Sequence, residues 1–473
     1  MMARMTSAPS ELAPPTTAPR PLAAILVAWA AIVLVAWLSA WDARRAVLAT
    51  VTPRLVVLGL LVAAGWLVGE RIRRGLRLTE RDAAPFATAL LLGWGALGLA
   101  WLALGLAQLW HPAIAWILLA TLGAAGAVAL ARRPRSAAEP LPRLALVPLA
   151  LAIVAVAVIA VESLAPPAAS DELVYHLTVP KWWVEAGGIT ALPHFSHAAF
   201  PFLTEMLYGW ALLLGDPVVA KLVHLVFALA CVALAAHAAR REGGVASGWC
   251  AAACLLTAPL FAIDASLAFV DAATAAFTLL GATLALRASA AEAPPARLLV
   301  ASGIAFGLAC STKYTAAAFL ALALLALVAW PVAPQRLTMR LRAALTIGGL
   351  AVLVTLPWLV RNAVVHGDPV HPMLHEVFAP GRHVNHEEIT EDFGSARGWG
   401  DRARRLVAMH VGHARADDVP GFAWALALPV LAVVARGASR RLVAIGGAAL
   451  IAQPLLIGAT PRLLLPALAL LAV

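Results

Sequence analysis

From Arg143 to Val161 the sequence reads RLALVPLALAIVAVAVIAV, and no charged residue follows Arg143 until Glu162. A run this long and this apolar constrains the fold more than any other feature of the chain. In water it would have to be hidden on every side, whereas crossing a bilayer takes roughly 20 apolar residues per helix. Such runs recur about fourteen times, near 21–41, 54–69, 84–108, 113–131, 143–161, 217–239, 246–263, 268–287, 297–311, 314–332, 342–361, 421–435, 441–458 and 461–473. With 62% hydrophobic residues, 13% charged residues and a mean hydropathy of +0.87, a soluble core cannot absorb them. Lipid offers the backbone no hydrogen-bond partners, so spanning segments of this kind are helices. The expectation is an all-α, polytopic integral membrane protein with about 14 transmembrane helices.

The net charge of +10 does not mark a nucleic-acid binder. The basic residues lie in short connections between apolar runs, not on one face of a domain. Arg71, Arg73, Arg74, Arg77 and Arg81 occupy one connection, and Arg132, Arg133, Arg135 and Arg143 another. Arg240, Arg241, Arg287, Arg297, Arg336, Arg340, Arg342, Arg436, Arg440 and Arg441 follow. If the runs alternate in direction, these nineteen of the 35 basic residues share one side, which reads as cytoplasmic. The opposite side receives two long loops, 162–216 and 362–420, together with 18 of the 25 acids. Any chemistry there faces away from the nucleotide pool.

Residues 1–20, rich in Pro, Ala and Thr, read as a disordered cytoplasmic tail. The run after them is longer than a signal-peptide core and reads as a first anchor. Residues 21–142 form an N-terminal group of helices, and 143–473 carry the two long outer loops. The last run stops at Val473 with no polar tail, which leaves either a fragment or an end inside the membrane. No internal repeat is evident. Cys231, Cys250, Cys254 and Cys310 all fall in apolar runs without a CxxC pair, and read as small buried residues. Residues 200–214, FPFLTEMLYGWALLL, read as a short amphipathic helix at the outer surface.

Against this background SDELVYHLTVPKWWVEAGGI, residues 170–189, stands out. Ser170 is placed to cap a helix start. On that helix Asp171, Tyr175 and Thr178 share one face, and Glu172 and His176 the neighbouring one. Two readings stand: a solvated helix start with its acids at the positive dipole end, or a general base held at the lipid–water boundary. Asp271, in SLAFVDAATAAF, opens an apolar helix on the outer side, where a carboxylate is costly and by default a functional candidate. Asp264 reads as a cap of the preceding turn. Lys313, in STKYTAAAF, is the only basic residue between Arg297 and Arg336. It is either a snorkelling lysine or a cation placed for a phosphate. Arg361, in PWLVRNAVVHGDPVHP, and Arg462, in ATPRLLLP, are lone outer cations of the same kind.

Eleven of the thirteen histidines fall on outer segments: His111, His176, His194, His197, His366, His371, His375, His383, His386, His410 and His413. His371 and His375 have metal-ligand spacing if helical, but Pro372 intervenes and no HExxH exists, so they read as solvated loop residues. A divalent metal is left open. No P-loop, dinucleotide fingerprint or nucleophile elbow occurs.

An outward acid, several outer cations and a large apolar body point to a lipid-linked phosphate substrate. Cations would stabilise a departing phosphate, and a carboxylate would take the proton of an incoming hydroxyl. The order of SDELVYHLTVPKWWVEAGGI, FPFLTEMLYGWALLLGDPVVAKLVH, FVDAATAAF, GIAFGLACSTKYTA, LPWLVRNAVVHGDPVHP and TPRLLLPALALLA resembles that of bacterial GT-C glycosyltransferases. These are the relatives of the protein O-mannosyltransferases and lipid A aminoarabinose transferases. The resemblance covers roughly residues 143–473 and implies a GT-C-like fold there; the N-terminal helices that precede it are extra, a departure from the family's pattern. It implies a bacterial plasma membrane enzyme moving a sugar from a polyprenyl-phosphate donor to a glycan, lipid or protein hydroxyl on the outer face. By the same resemblance Asp171 is the base, with Glu172 beside it. Asp271 is the acid opening a later outer helix, Lys313 contacts the donor phosphate, and Arg462 precedes the closing Leu-rich helix. Tyr175, His176, Lys181, Tyr314, Arg361 and Asn362 complete the candidate substrate-binding set. The alternative readings are a lipid-linked oligosaccharide transporter or flippase, which needs polar residues at mid-membrane depth, and a non-catalytic scaffold.

Overall fold

The computed structural model describes residues 28–29, 41–134, 139–193, 195–330, 333–380, 437–456 and 461–473, and the single residues 400, 404, 431 and 435. The expected tail 1–20, most of the run near 21–41 and nearly all of the run near 421–435 lie outside them. So do His194, His383, His386, His410 and His413, and the side chain of His375. The chain falls into two units, Met1–Thr52 and Pro53–Val473, and the second carries every candidate site residue.

Among the described residues all regular structure is helical. The helices are α1 (Trp41–Gly75), α2 (Pro85–Leu106), α3 (Pro112–Ala131), α4 (Leu146–Ser163), α5 (Thr178–Glu185), α6 (Leu203–Leu214) and α7 (Pro217–Leu256). They continue with α8 (Pro259–Ala265), α9 (Asp271–Ser289), α10 (Ala296–Thr312), α11 (Ala316–Ala329), α12 (Leu337–His366), α13 (Gly437–Leu456) and α14 (Leu465–Leu471). Seven helical segments among the described residues are long and apolar enough to cross a membrane, and four shorter helices are apolar as well. The chain is a multi-pass membrane protein. Its outer helices turn large apolar side chains away from the protein, as α4 does with Val147, Ile153, Val154, Val158 and Val161.

Helix starts follow the sequence. Pro occupies the first turn of α2, α3, α7 and α8, where its missing N–H costs nothing. Asp216 caps α7 by accepting from the Val218 and Val219 amides at 2.9 and 3.3 Å. Inside the bundle, small residues let backbones touch, which is how helices associate where lipid is as apolar as leucine. At the α1–α2 crossing a Cβ built on Gly93 would lie 1.7 Å from the Gly65 carbonyl oxygen.

The core is formed by α7, α9 and α10, with α14 packed on α9. Its loops gather at two ends. At one end Arg297 reaches Asp82 at 2.6 Å and the Arg77 carbonyl at 3.1 Å. There too Arg287 donates to the Arg81 carbonyl, His237 meets the Glu80 carbonyl at 2.7 Å, and Arg240 pairs with Glu139 at 2.6 Å. This is the Arg-rich set that alternation assigned to one side. The other end holds 164–202, 266–271, 312–315 and 461–463.

Four expectations are corrected. The runs near 217–239 and 246–263 are joined in α7 across a kink at Gly244, whose φ of 83° suits glycine, and the second ends at Leu256 before α8. The helix at 200–214 is not amphipathic at a surface, because Leu203 through Ala211 are all buried among α2, α3, α5 and α7. Cys250 and Cys254 are exposed on α7, because a lipid-facing surface is as apolar as the core. The outer histidines are not generally solvated: His176, His197, His366 and His371 are buried, the last two stacked at 4.3 Å.

Candidate active site

The loop that follows α4 is tied down by a carboxylate. Glu172 is fully buried, and its Oε2 accepts from the Ala168 and Ala169 amides, both at 3.0 Å. Its Oε1 accepts from the Ala268 amide at 2.6 Å, which joins this loop to the one before α9. Ser170 and Asp171 are already helical, so Glu172, not Ser170, serves the free amides at this helix start. Below the loop, buried Lys221 donates to the Glu162 and Ala165 carbonyls at 3.2 and 2.9 Å, closing the end of α4.

Glu172–His176 is a π turn, with the Leu177 amide bonded to the Glu172 carbonyl at 3.0 Å, five residues back. Glu172 and His176 do not pair, because three backbone amides already hold the Glu172 carboxylate. His176 instead meets Glu205 of α6, Nδ1 to Oε1 at 2.7 Å, with both side chains buried. α6 is held in place by stacked indoles: Trp210 lies 4.7 Å from Trp101 of α2, which lies 5.3 Å from Trp110. Tyr208 on α6 also donates to the Phe269 carbonyl.

Two acid–cation pairs follow. Asp171 accepts from the Arg462 guanidinium and, at 3.2 Å, from the Tyr175 hydroxyl. Asp271, at the first position of α9, accepts from Lys313 Nζ at 2.7 Å. Lys313 stands just past the end of α10, and Arg462 begins the turn that leads into α14. The Arg462 guanidinium also lies 4.7 Å over the Phe269 ring. Behind Asp271, Asp264 accepts from the Ala272 amide at 3.0 Å, so it caps the following helix, not the preceding turn. His224 stands 3.7 Å from Asp264 and bonds the Leu267 carbonyl at 2.8 Å.

The cations of the two pairs, Lys313 and Arg462, line a cavity of about 630 Å³, counting its open mouth, and Asp171 and Asp271 adjoin it through them. Its polar wall is Tyr175, His176, Glu205, Lys313, Tyr314 and Arg462, completed by apolar Phe200, Val270, Met373 and Leu463. Burial, reinforced by the charges of Lys313 and Arg462, pushes the His176 imidazole well below its usual range, so the ring is neutral at pH 7. Burial pushes the Tyr175 phenol well up, against the pull of Arg462, and it stays a donor.

Of the residues singled out in sequence, Asp171, Tyr175, His176, Asp271, Lys313, Tyr314 and Arg462 come together here. Glu172 is structural in its contacts. Lys181 points away, exposed and 3.8 Å from Glu185. Arg361 is not in the cavity wall: it donates to the Ala198 carbonyl at 2.9 Å and lies over Trp183 at 5.4 Å. Asn362 donates to the Ala199 carbonyl at 2.5 Å and to the Tyr314 hydroxyl at 2.9 Å, so both support the cavity rim from behind. Glu205 was missed, although a lone acid in FLTEMLYGWALLL is the signal of a costly buried carboxylate. Among the described residues no group of three or more His, Cys, Asp or Glu is arranged to hold a metal ion.

A family model described as a domain of unknown function (DUF8201) matches residues 48–410. No curated protein matches the chain. Among solved structures, the crystal structure of ArnT from Cupriavidus metallidurans bound to undecaprenyl phosphate is similar at 20% identity and a TM-score of 0.48. The match covers 69% of this chain and 58% of that one.

Proposed function

The chain belongs to the DUF8201 family, and we propose that it is a membrane glycosyltransferase that moves a sugar from a polyprenyl-phosphate donor to a hydroxyl acceptor. The acceptor is a glycan, lipid or protein. The membrane is the bacterial plasma membrane, with the cavity opening to the outside and the Arg-rich end in the cytoplasm. The observation that carries the reading is the convergence of two acid–cation pairs on one cavity, from residues 291 apart for Arg462 and Asp171 and 42 apart for Lys313 and Asp271. Chain order alone gives no reason for them to meet. A cavity with two cations at the membrane boundary suits a lipid-linked phosphate, and its apolar side suits the lipid. The order of motifs that resembles the GT-C enzymes supports the same chemistry.

In this reading the acceptor oxygen attacks the anomeric carbon. The bond from that carbon to the phosphate oxygen breaks, and its electron pair leaves with the polyprenyl phosphate. Asp171 takes the proton of the acceptor hydroxyl. Lys313 and Arg462 meet the charge that grows on the phosphate. Asp271 fixes Lys313, and Asn362 fixes Tyr314. In the free protein Arg462 is already bonded to Asp171, so donor phosphate and base compete for one guanidinium.

The test is transfer from a radiolabelled polyprenyl-phosphate sugar by the purified protein. Asp171→Asn should stay folded, keep donor binding and lose about 10²–10⁴-fold in rate. Near-normal transfer by Asp171→Asn, with Asp271→Asn inactive, would assign the base elsewhere. A flippase would translocate the lipid without cleaving it and would be indifferent to Asp171→Asn.

A further inference from the structure

One pair in the cavity has no task in that chemistry. His176 and Glu205 come from the π turn and from α6, 29 residues apart, and meet at 2.7 Å. Both are buried to within 2% of full exclusion from solvent, and both line the cavity. A carboxylate in an apolar helix is costly to keep unless it is used. The His176 ring is fixed 4.0 Å from Tyr175 and 5.7 Å from Phe269, the ring that also carries Arg462. His176 Nε2 and Glu205 Oε2 each make no hydrogen bond among the described residues. The cavity therefore has two kinds of polar wall. Lys313 and Arg462 carry charge, whereas the His–Glu pair, beside the hydroxyls of Tyr175 and Tyr314, bonds internally through Nδ1 and Oε1 and leaves one ring nitrogen and one carboxyl oxygen unbonded.

We infer that the His176–Glu205 pair is the subsite for the uncharged sugar of the donor, with His176 Nε2 and Glu205 Oε2 hydrogen-bonding its hydroxyls. This rests on the transferase reading. The chemistry of the wall decides the assignment. A phosphate is held by the cations, and an isoprenoid chain needs no polar partner. A sugar hydroxyl both donates and accepts, which matches the pair. Glu205 acts on the substrate directly and also positions the imidazole through Nδ1.

The test uses the full chain in lipid nanodiscs. Three probes are titrated: polyprenyl phosphate without sugar, and the same lipid carrying a hexose or a pentose. Wild-type protein should bind at least one sugar-bearing lipid more tightly than the bare lipid. His176→Phe keeps the stacking ring but removes the nitrogen, and Glu205→Gln keeps the shape but replaces a carboxyl oxygen with an amide. Each should weaken the preferred sugar lipid about 5- to 10-fold, the scale of one lost hydrogen bond, and leave the bare lipid within twofold. If both ligands weaken equally in both variants, the pair is structural and the subsite is overturned. The same holds if neither variant changes sugar-lipid binding, or if wild type gains nothing from either sugar. Asp171→Asn separates the two ideas, since it should bind all three probes at least as tightly as wild type, keep the same preference for the sugar-bearing lipid, and lose turnover. Wild-type protein that binds none of the lipids overturns the transferase reading and the subsite with it.

Discussion

Removing Lys313 should cost more stability than removing its partner. In the Asp271–Lys313 pair the contact is 2.7 Å, but the two ends differ: the Asp271 side chain is 2% exposed and that of Lys313 is 19% exposed. Lys313→Ala leaves a buried carboxylate whose Oδ2 already makes no bond among the described residues. Leaving one partner of a buried pair uncompensated costs about 3–5 kcal/mol. Asp271→Asn removes the charge and keeps a polar group, and Lys313 has a route to water along its own stem. That variant should cost about 1 kcal/mol, the scale of one hydrogen bond. The double variant Lys313→Ala with Asp271→Asn should then be more stable than Lys313→Ala alone by roughly 2 kcal/mol, which with the cost of Asp271→Asn makes a coupling of about 3 kcal/mol in a double-mutant cycle. The assay is reversible unfolding in mixed micelles, with all three variants and wild type in one detergent composition. The reasoning is refuted if Lys313→Ala is no less stable than Asp271→Asn, or if the double variant is the least stable of the set.

The same double variant, less destabilised than Lys313→Ala, gives a background in which to titrate polyprenyl phosphate. Donor affinity should fall there by about 1–3 kcal/mol, the worth of a hydrogen bond to a charged group, and wild-type affinity would reduce Lys313 to a structural partner. For sidedness, in a background lacking the four native cysteines, Thr390→Cys should react with an impermeant thiol reagent added outside intact cells, and Ser136→Cys should not; the reverse pattern inverts the orientation. Gly93→Ala should lower the unfolding midpoint clearly, because its Cβ would sit 1.7 Å from the Gly65 carbonyl oxygen, while Gly349→Ala, with nothing within 4 Å, should change it little. The depressed His176 means that below about pH 6.5 the unfolded chain binds a proton that the folded site refuses, so stability falls as pH drops through that value. His176→Gln should flatten this part of the pH–stability profile, and an unchanged slope would place the titration elsewhere.

The helices were legible in sequence because one physical rule, backbone satisfaction in lipid, writes itself as apolar runs. What each helix packs against was not, because lipid and core are equally apolar. The same ambiguity hid Glu205: FLTEMLYGWALLL fits a surface helix and a buried one alike, and only the indole stack on Trp210 decides. Asp171, Asp271, Lys313 and Arg462 were legible as charges out of place, but their pairing was not, because Arg462 reaches Asp171 across 291 residues. The Glu172–His176 error has a local cause. Spacing of four does bring Tyr175 to Asp171 at 3.2 Å, but the neighbouring Glu172 turns its carboxylate to backbone amides and leaves His176 to Glu205. Glu172 looked like a twin of Asp171 and differs from it in one respect: three backbone amides hold its carboxylate.

The pairing of Arg462 with Asp171 bears on the timing of catalysis in the proposed reaction. A sugar phosphodiester carries one negative charge, and the polyprenyl phosphate that departs carries up to two. The attraction of Arg462 for the phosphate therefore rises as the bond to the sugar breaks, while its attraction for Asp171 stays constant. An interaction that strengthens only toward the transition state is the kind that accelerates a reaction. As Arg462 is drawn to the phosphate, it frees the Asp171 carboxylate oxygen that it holds in the resting site, at the stage when the acceptor hydroxyl must give up its proton. Tyr175 remains bonded to Asp171 through its hydroxyl at 3.2 Å and keeps the carboxylate aimed while the guanidinium shifts. The second pair does not move in this way. Asp271 is buried at the start of α9, so Lys313 keeps its partner throughout and supplies the fixed charge against which Arg462 exchanges.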